Sequence, residues 1–426
     1  MYITLSDRGA ASGPLAKGRI ATRVSSTVIA MGIVSMFTDI SSESVAAVLP
    51  LYITAAMGMS TIAYGFIDGL YQGISAVVRI GGGWAADRTD QPKWVAFLGY
   101  GVSAAARVWL LFATGFAAVT SVVAIDRIGK GIRTAPRDAL ITASSQPDNL
   151  GRSFGVHRML DTVGAAVGPL LAFVILWVLP NGYRAIFVLS LAFAIVGLLI
   201  LGVIVRNGHP AREAGRERIR RLWSVKDLRL PGMPRLLVAT GVLSFITVGD
   251  GFIYLVLQAR SSFAAEWFPL LYVGTNIVFL ALAIPLGRWA DRIGRGRVFL
   301  LGHVALLACY LVTTISVGGI AITLLCLALL GAFYAATDGV LSALTAQLTP
   351  PEGVASGIAA TQTVTAGARL LASTGFGVLW FALGRQHAME LAAGLAVIAV
   401  VVALYLLRPM LGVPEKVNAL PVGFDE

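Results

Sequence analysis

Ionisable side chains recur at helical spacing inside stretches of this sequence that are otherwise apolar. In residues 126–138, DRIGKGIRTAPRD, the side chains of Asp126, Lys130, Arg133 and Arg137 follow at i, i+4, i+7 and i+11, which places them on one stripe of a helix. The adjacent stripe carries two further charges and is formed by Arg127, Gly131, Thr134 and Asp138. A charge facing lipid near a bilayer centre costs at least ~2.5–3.5 kcal/mol. If this helix crosses a membrane, its charged side must therefore face protein or a water-filled cavity.

Carboxyl groups occur at comparable positions elsewhere. Asp39 and Glu43, in the run DISSE, are four residues apart and share one helix face. Burial favours a protonated carboxyl and a nearby arginine favours an ionised one, so a conformational change can load or release a proton. We predict that proton coupling and a substrate cavity depend on Asp39, Glu43, Arg127, Arg133, Asp250, Asp338 and Arg369. Other intramembrane charges, which we expect to form structural ion pairs, are Asp68, Arg79, Arg107, Arg158 and Asp161.

The composition indicates a membrane protein. Of 426 residues, 57% are hydrophobic and 13% charged, about half the charged share of an ordinary soluble domain, and the mean hydropathy is +0.80. Apolar runs long enough to cross a ~30 Å hydrocarbon core recur along the chain, and they must be helices because an open sheet edge leaves its backbone unsatisfied in lipid. We predict twelve spans: 27–55, 61–84, 94–114, 118–142, 153–179, 184–205, 236–260, 266–286, 298–317, 319–346, 354–382 and 388–408.

The distribution of Lys and Arg predicts the orientation. With an even number of spans both chain ends lie on one side, and the loops predicted on that side are the basic ones, whereas the opposite loops hold only Arg184, Arg260 and Arg385. Both termini are therefore expected in the cytoplasm, and the basic N-terminus lacks the apolar core of a removable signal peptide. The net charge of +11 is spread over loops rather than gathered on one module, so we expect no nucleic-acid partner.

An internal repeat predicts two halves. GGWAADRTDQPKW follows the second span and GRWADRIGRGRVF follows the eighth, and Gly83 with Gly287, like Asp87 with Asp291, are 204 residues apart. We expect an all-α membrane protein whose twelve transmembrane helices form two six-helix bundles related by a pseudo-two-fold axis, with a site between them. The predicted parts are a tail at 1–26, bundles at 27–205 and 236–408, a linker at 206–235 and a tail at 409–426.

The loop pattern G-x-x-x-D-R-x-G-R-x-R resembles the signature of the major facilitator superfamily, whose members are transporters. The second copy matches closely, whereas the first has Asp90, Gln91 and Pro92 where the pattern has Gly and basic residues. The resemblance implies a cytoplasmic gate in which Asp87 binds the start of the eleventh helix. That gate would consist of Asp87, Arg88, Asp291 and Arg292. The alternative is that these charges only set the topology.

Further motifs bear on the direction of transport. The G-x8-G-x3-G-P spacing of Gly155, Gly164, Gly168 and Pro169 resembles the antiporter motif of proton-linked exporters, without its two trailing glycines. Ordinary small-residue packing is the competing explanation. Arg127-x-x-x-Gly131 resembles the superfamily's fourth-helix motif, whose arginine is associated with proton transfer.

These observations predict a secondary active transporter of a bacterial branch, in the cytoplasmic (inner) membrane. We expect alternating access and proton-coupled antiport that exports a small organic solute or drug. The runner-up is a proton-coupled importer of an organic anion, and a receptor or assembly partner that transports nothing is a third possibility. We expect a monomer in the lipid bilayer, with a small-molecule substrate and protons as the coupling ion. No cofactor, no metal site and no enzymatic activity are expected, because no phosphate-binding loop, ligand spacing or nucleophile–base pair occurs.

Overall fold

The computed structural model describes residues 24–89, 91–146, 149–205, 230–315, 318–349 and 353–411. In the second span, side chains are described through residue 75 and at residue 78. The predicted gate side chains of Asp87 and Arg88, and most of the predicted linker and tails, lie outside this description.

The described chain is helical and forms twelve spans. The first six are Ser26–Ala46 continued by Leu49–Leu51 and a π-helical turn at Tyr52–Ala56, then Thr61–Thr89, Pro92–Leu110, Gly115–Ala143, Leu150–Val178 and Tyr183–Val203. The next four are Met233–Phe245 continued by Asp250–Ser261, then Pro269–Ile293, Arg295–Thr314 and Ile320–Gln347. The eleventh and twelfth spans lie in the long segment Val354–Leu407, which breaks at Gly384, where the φ of 79° is accessible to a residue without a side chain.

The membrane-crossing character of these helices follows from their length and composition. Within the described residues, eight helices are long and apolar enough to cross a membrane, the broken segment being counted once. The second, third and fourth spans are not among them, and the fourth carries the charged stripes described above. The predicted all-helical, twelve-span architecture is confirmed.

The two halves share a corresponding glycine–valine contact between their second and fourth helices. A Cβ atom at Gly131 in the fourth span would lie 2.7 Å from the Cβ of Val78 in the second. In the second half, a Cβ at Gly331 in the tenth span would lie 2.6 Å from the Cβ of Val278 in the eighth. Each residue lies 200 positions from its counterpart, and in both halves only glycine lets the two helices approach this closely.

The halves meet at one end of the bundle. We call the face where the described chain begins and ends, at Val24 and Leu411, the terminal face, and the opposite one the distal face. Near the distal face, the Oγ1 of Thr61 in the second span donates to the carbonyl of Gly377 in the eleventh, at 3.0 Å. Aromatic rings continue this contact, with Tyr64 and Phe252 at 4.7 Å between centroids. The fifth and eighth spans also meet across the halves.

The first and fifth spans are also packed backbone to backbone. A Cβ at Gly164 would overlap the carbonyl of Met36, and one at Gly168 would lie 2.9 Å from the carbonyl oxygen of Ile40. Gly155, the first glycine of the same motif, is exposed and has open space around it. The close approach therefore depends on the second and third glycines of the motif.

This contrast predicts opposite effects of one substitution at two sites. Gly164→Ala forces the helices apart and should lower the free energy of unfolding by about 1–3 kcal/mol, the usual cost of overpacking. Gly155→Ala, the matched control, should leave it unchanged or raise it by up to ~1 kcal/mol, because alanine favours a helix where there is room. Thermal unfolding of the two variants in detergent measures this. Equal melting temperatures would contradict the packing argument.

Candidate functional site

Two cavities lie between the halves, one above the other along the bundle. The distal cavity has a volume of about 410 Å³ and the terminal cavity about 460 Å³, both within the range of sites for drug-sized ligands. Helices of both halves line each of them. Four residues line both cavities and mark their junction: Gln72, Lys130, Asp338 and Arg369.

The distal cavity is acidic and aromatic. Its wall contains Glu43 from the first span and the tyrosines Tyr64, Tyr71, Tyr254, Tyr272 and Tyr334. Two of its carboxylates accept hydrogen bonds from hydroxyl groups. Asp68 accepts from the Oγ of Ser373, at 2.5 Å, and Asp250 accepts from the hydroxyl of Tyr334, at 2.6 Å. The first of these bonds joins the two halves, since Asp68 lies in the second span and Ser373 in the eleventh.

The terminal cavity has a mixed, largely paired charge. Arg137 donates to Asp138, at 3.0–3.1 Å, and Arg158 forms an ion pair with Asp161, at 3.2 Å. The carboxyl group of Asp39, from the first span, lies within hydrogen-bonding reach of Asp161 from the fifth. Asp39 and Asp161 therefore place two carboxyl groups side by side on the wall of a cavity, an arrangement that can share a proton.

Three cations at the junction and in the terminal cavity form no ion pair with any described carboxylate: Lys130, Arg133 and Arg369. Arg133 is 4% exposed and lies over the ring of Tyr100, with 4.5 Å between its Cζ and the ring centroid. One terminal nitrogen of Arg133 and the Nε of Arg369 are buried without an acceptor in the described structure. Buried donors without partners are costly, so these groups are poised to bind an anion.

Asp126 organises a separate buried network behind the cavity wall. Its carboxylate accepts from Arg127, at 2.5 and 3.1 Å, and forms an ion pair with Arg107 of the third span, at 3.0 Å. The guanidinium of Arg127 also lies 3.8 Å from the ring centroid of Tyr71. All three charged side chains are almost fully buried.

The structure thus separates the seven residues predicted for coupling and the cavity. Six of them line a cavity: Asp39, Glu43, Arg133, Asp250, Asp338 and Arg369. Arg127 lines neither, because its guanidinium is held by Asp126 and by the face of Tyr71. Asp338 and Arg369 do not pair with each other among the described residues, and Arg369 faces the Tyr334 ring instead, at 6.0 Å.

Many cavity residues lie outside the predicted set, and four of them bear on the chemistry of the site: Lys130, Asp68, Asp161 and Tyr334. The sequence offered a signal for Lys130, which shares the stripe of Arg133, and for Asp68 and Asp161 as intramembrane charges. Nothing in the sequence distinguished Tyr334 from other aromatic residues. Its role depends on the helix facing it, which brings Asp250 within hydrogen-bonding distance.

The predicted gate is described only in its second copy. Asp291 accepts two hydrogen bonds from Arg295 one turn later, the shorter of 3.0 Å, and Arg295 also donates to the carbonyl of Ala343, at 3.0 Å. This ties the loop after the eighth span to the end of the tenth. Within the described residues, no group of three His, Cys, Asp or Glu side chains could hold a metal ion.

Comparison with known proteins gives a consistent result. Residues 31–274 match the family model described as Major Facilitator Superfamily. The uncharacterized MFS-type transporter MJ1317 of Methanocaldococcus jannaschii is 28% identical over 288 residues, 66% of this chain and 70% of that protein. Multidrug resistance protein MdtH of Salmonella typhi is 27% identical over 55% of this chain and 57% of its own length. The crystal structure of a mutant of nucleoside transporter NupG superposes with a TM-score of 0.77 at 14% identity, covering 89% of this chain and 99% of that one.

The buried network predicts a large stability effect. Asp126→Asn leaves Arg107 and Arg127 buried without a counter-charge and should cost about 3–5 kcal/mol. Asp291→Asn removes the partner of an ion pair whose carboxylate is 50% exposed and should cost no more than about 1 kcal/mol. Melting temperature and yield of monodisperse protein in detergent measure both. Similar losses in the two variants would contradict the assignment of Asp126 as the centre of the network.

Proposed function

Because this chain belongs to the Major Facilitator Superfamily of membrane transporters, we propose that it works by alternating access and exports a small organic solute in exchange for protons. The observation that carries this proposal is the placement of carboxyl groups on the walls of cavities between the two halves. Asp39 and Glu43 from one half and Asp250 from the other reach this space.

The bonding of these carboxyl groups suits a proton carrier. Asp68 and Asp250 accept from neutral hydroxyl groups rather than from cations. A carboxyl group with a neutral partner gains a proton without leaving a buried cation unpaired. Protonation of Asp126, in contrast, would leave the buried side chains of Arg107 and Arg127 without their counter-charge. Asp39, Asp68 and Asp250 are therefore our candidates for proton transfer, and Asp126 is a structural residue.

Asp68 links the proton to the movement of the halves. The bond from Ser373 to its carboxylate helps hold the second and eleventh spans together near the distal face. A carboxylate is a stronger acceptor than a protonated carboxyl group. Protonation of Asp68 therefore weakens a contact that must break when the distal side opens.

Export is favoured by two observations. A relative that is 27% identical over 55% of this chain is a multidrug resistance protein, and the distal cavity combines carboxylates with tyrosines. The second candidate function is proton-coupled import of an organic anion, which Lys130, Arg133 and Arg369 favour because they form no ion pairs with described carboxylates.

Orientation, domains and gate complete the proposal. We propose that the terminal face lies in the cytoplasm, which the distribution of basic residues supports, and that the distally closed arrangement is an inward-facing state of a bacterial inner-membrane protein. We propose a monomer with bundles at 27–205 and 236–408 and a cytoplasmic gate at Asp87, Arg88, Asp291 and Arg292.

A pH gradient separates the two directions of coupling. A radiolabelled solute, selected by thermal shift, is followed in proteoliposomes that carry a proton gradient. If the protein is an exchanger, the gradient should drive the solute in the direction opposite to proton flow. If it is a symporter, the solute should move in the same direction as the protons. We expect exchange in the wild type and loss of at least about 90% of gradient-driven flux in Asp250→Asn, because that side chain no longer exchanges a proton. Glu390→Gln, on the exposed surface, is the matched control and should retain flux. Solute flux that is the same with and without the proton gradient, and the same in the wild type and in Asp250→Asn, would reject proton coupling.

Sidedness is tested by labelling single cysteines in whole cells. Ser60→Cys lies on the distal face and Gln146→Cys on the terminal face, both exposed, whereas the native Cys309 and Cys326 are buried. A membrane-impermeant maleimide added outside should label Ser60→Cys several-fold more than Gln146→Cys, and disruption of the cells should make the two equal. Preferential labelling of Gln146→Cys would reverse the proposed orientation.

A further inference from the structure

Among the described residues, the unpaired cations of the two cavities all lie at the junction or in the terminal cavity, together with Asp338 and Asp39, whereas the unpaired charges of the distal cavity away from the junction are all carboxylates. Toward the distal face, Glu43, Asp68 and Asp250 line the distal cavity, and the described structure gives none of them an ion-pair partner. Lys130 and Arg369 line both cavities at their junction, and the described structure gives neither of them an ion-pair partner. A bound solute therefore meets negative charge at the distal end and a net positive unpaired charge at the other.

The negative end is built to receive a cation. Carboxylates, five tyrosines and Phe279 form its wall, and aromatic faces attract cations as well as apolar groups. Tyr254 donates to Thr275, at 2.7 Å, which fixes one of these rings. The only cations that line this cavity among the described residues are Lys130 and Arg369, both at its junction with the terminal cavity.

The positive end is built to receive an anion. Arg133 is 4% exposed, lines the terminal cavity and keeps a buried terminal nitrogen without an acceptor in the described structure. Lys130 precedes it by one turn on the same stripe, and Arg369 approaches from the other half with its Nε unpartnered. Asp39 and Asp338 also line this cavity, but the three unpaired cations outnumber these two carboxylates, and Asp39 lies within hydrogen-bonding reach of Asp161.

Tyr334 fixes the spacing of the two ends. Its hydroxyl donates to Asp250, at 2.6 Å, while the Cζ of Arg369 lies 6.0 Å from its ring centroid. The carboxylate is thereby bound at the hydroxyl of Tyr334, the guanidinium lies near the ring of the same side chain, and the two form no ion pair with each other. Within the described structure nothing else pairs these two charges, so both stay available to a ligand.

We propose that the transported solute is a zwitterion of the amino-acid or short-peptide type. Its ammonium group binds at Asp250 and Asp68, and its carboxylate binds at Lys130, Arg133 and Arg369. This inference rests on the proposed transport function and names its substrate class. A solute with one charge would satisfy one end and leave the other unpaired, which makes binding of a matched zwitterion stronger than that of either singly charged relative.

Matched probes test this assignment without a proton gradient. L-phenylalanine, its amide and its N-acetyl form present both charges, only the cation and only the anion, and the same three forms of L-tryptophan and of L-phenylalanyl-L-alanine extend the set. Thermal shift titrations of the full chain in detergent give the dissociation constants. We expect at least one zwitterion to bind about tenfold or more tightly than both of its relatives.

Variants assign each end. Lys130→Gln and Arg369→Gln should reduce the affinity of that zwitterion to that of its amide, and Asp250→Asn should reduce it to that of its N-acetyl form. Arg408→Gln, exposed and outside both cavities, is the control and should leave the affinity unchanged. Lys130→Arg and Arg369→Lys keep the charge and should retain part of the preference, which separates a lost contact from a damaged fold.

Three results would overturn the assignment. In the first, every one of the three zwitterions is matched in affinity by its amide or its N-acetyl form. In the second, the preference for the zwitterion survives Arg369→Gln, and in the third none of the nine probes binds. The outcome is independent of the coupling mechanism. A zwitterion that binds but is not moved by a pH gradient would keep the substrate class and reject proton coupling. Gradient-driven flux of a singly charged solute would support proton coupling and reject the zwitterion as the substrate class.

Discussion

The cost of placing charge in hydrocarbon shapes this protein more than any other constraint. The fourth span carries six charged residues in thirteen positions, and each must find protein or water. The structure divides them. Asp126 and Arg127 form a buried ion-pair network with Arg107, whereas Lys130 and Arg133 line the cavity wall. One helix therefore supplies both the rigidity of the first half and the charge of the site.

This division explains why neighbouring residues have different roles. A paired, hydrogen-bonded charge cannot change its protonation state without leaving its partner buried and alone. The Asp126 network is for that reason suited to fixing the positions of the third and fourth spans. Among the described residues, Asp68 and Asp250 accept hydrogen bonds only from hydroxyl groups, which suits them to a change of protonation state. The proposed proton carriers are thus found where the ion pairs are missing.

The internal repeat provides the frame for this site. Corresponding glycines, Gly131 and Gly331, bring the second helix of each half against its fourth, and Gly164 and Gly168 bring the first against the fifth. Each half is a tightly packed body, and the halves join near the distal face through contacts such as Thr61 with Gly377 and Asp68 with Ser373. The two cavities of the site lie between these bodies.

The membrane environment, the helices and the repeat were predictable from the chain alone, because hydropathy, span length and motif spacing are local or periodic properties. It also showed which charges must avoid lipid, since a stripe on a helix is defined by spacing alone. The partner of each charge, in contrast, depends on how the helices pack in three dimensions. Arg127 and Arg133 lie on adjacent charged stripes of the same helix, and both were predicted to act in coupling, yet one is held by Asp126 and Tyr71 and the other lines a cavity. The pairing of Tyr334 with Asp250 and of Ser373 with Asp68 joins residues 84 and 305 positions apart. Such contacts depend on how helices pack, and no periodicity in the chain encodes the partner.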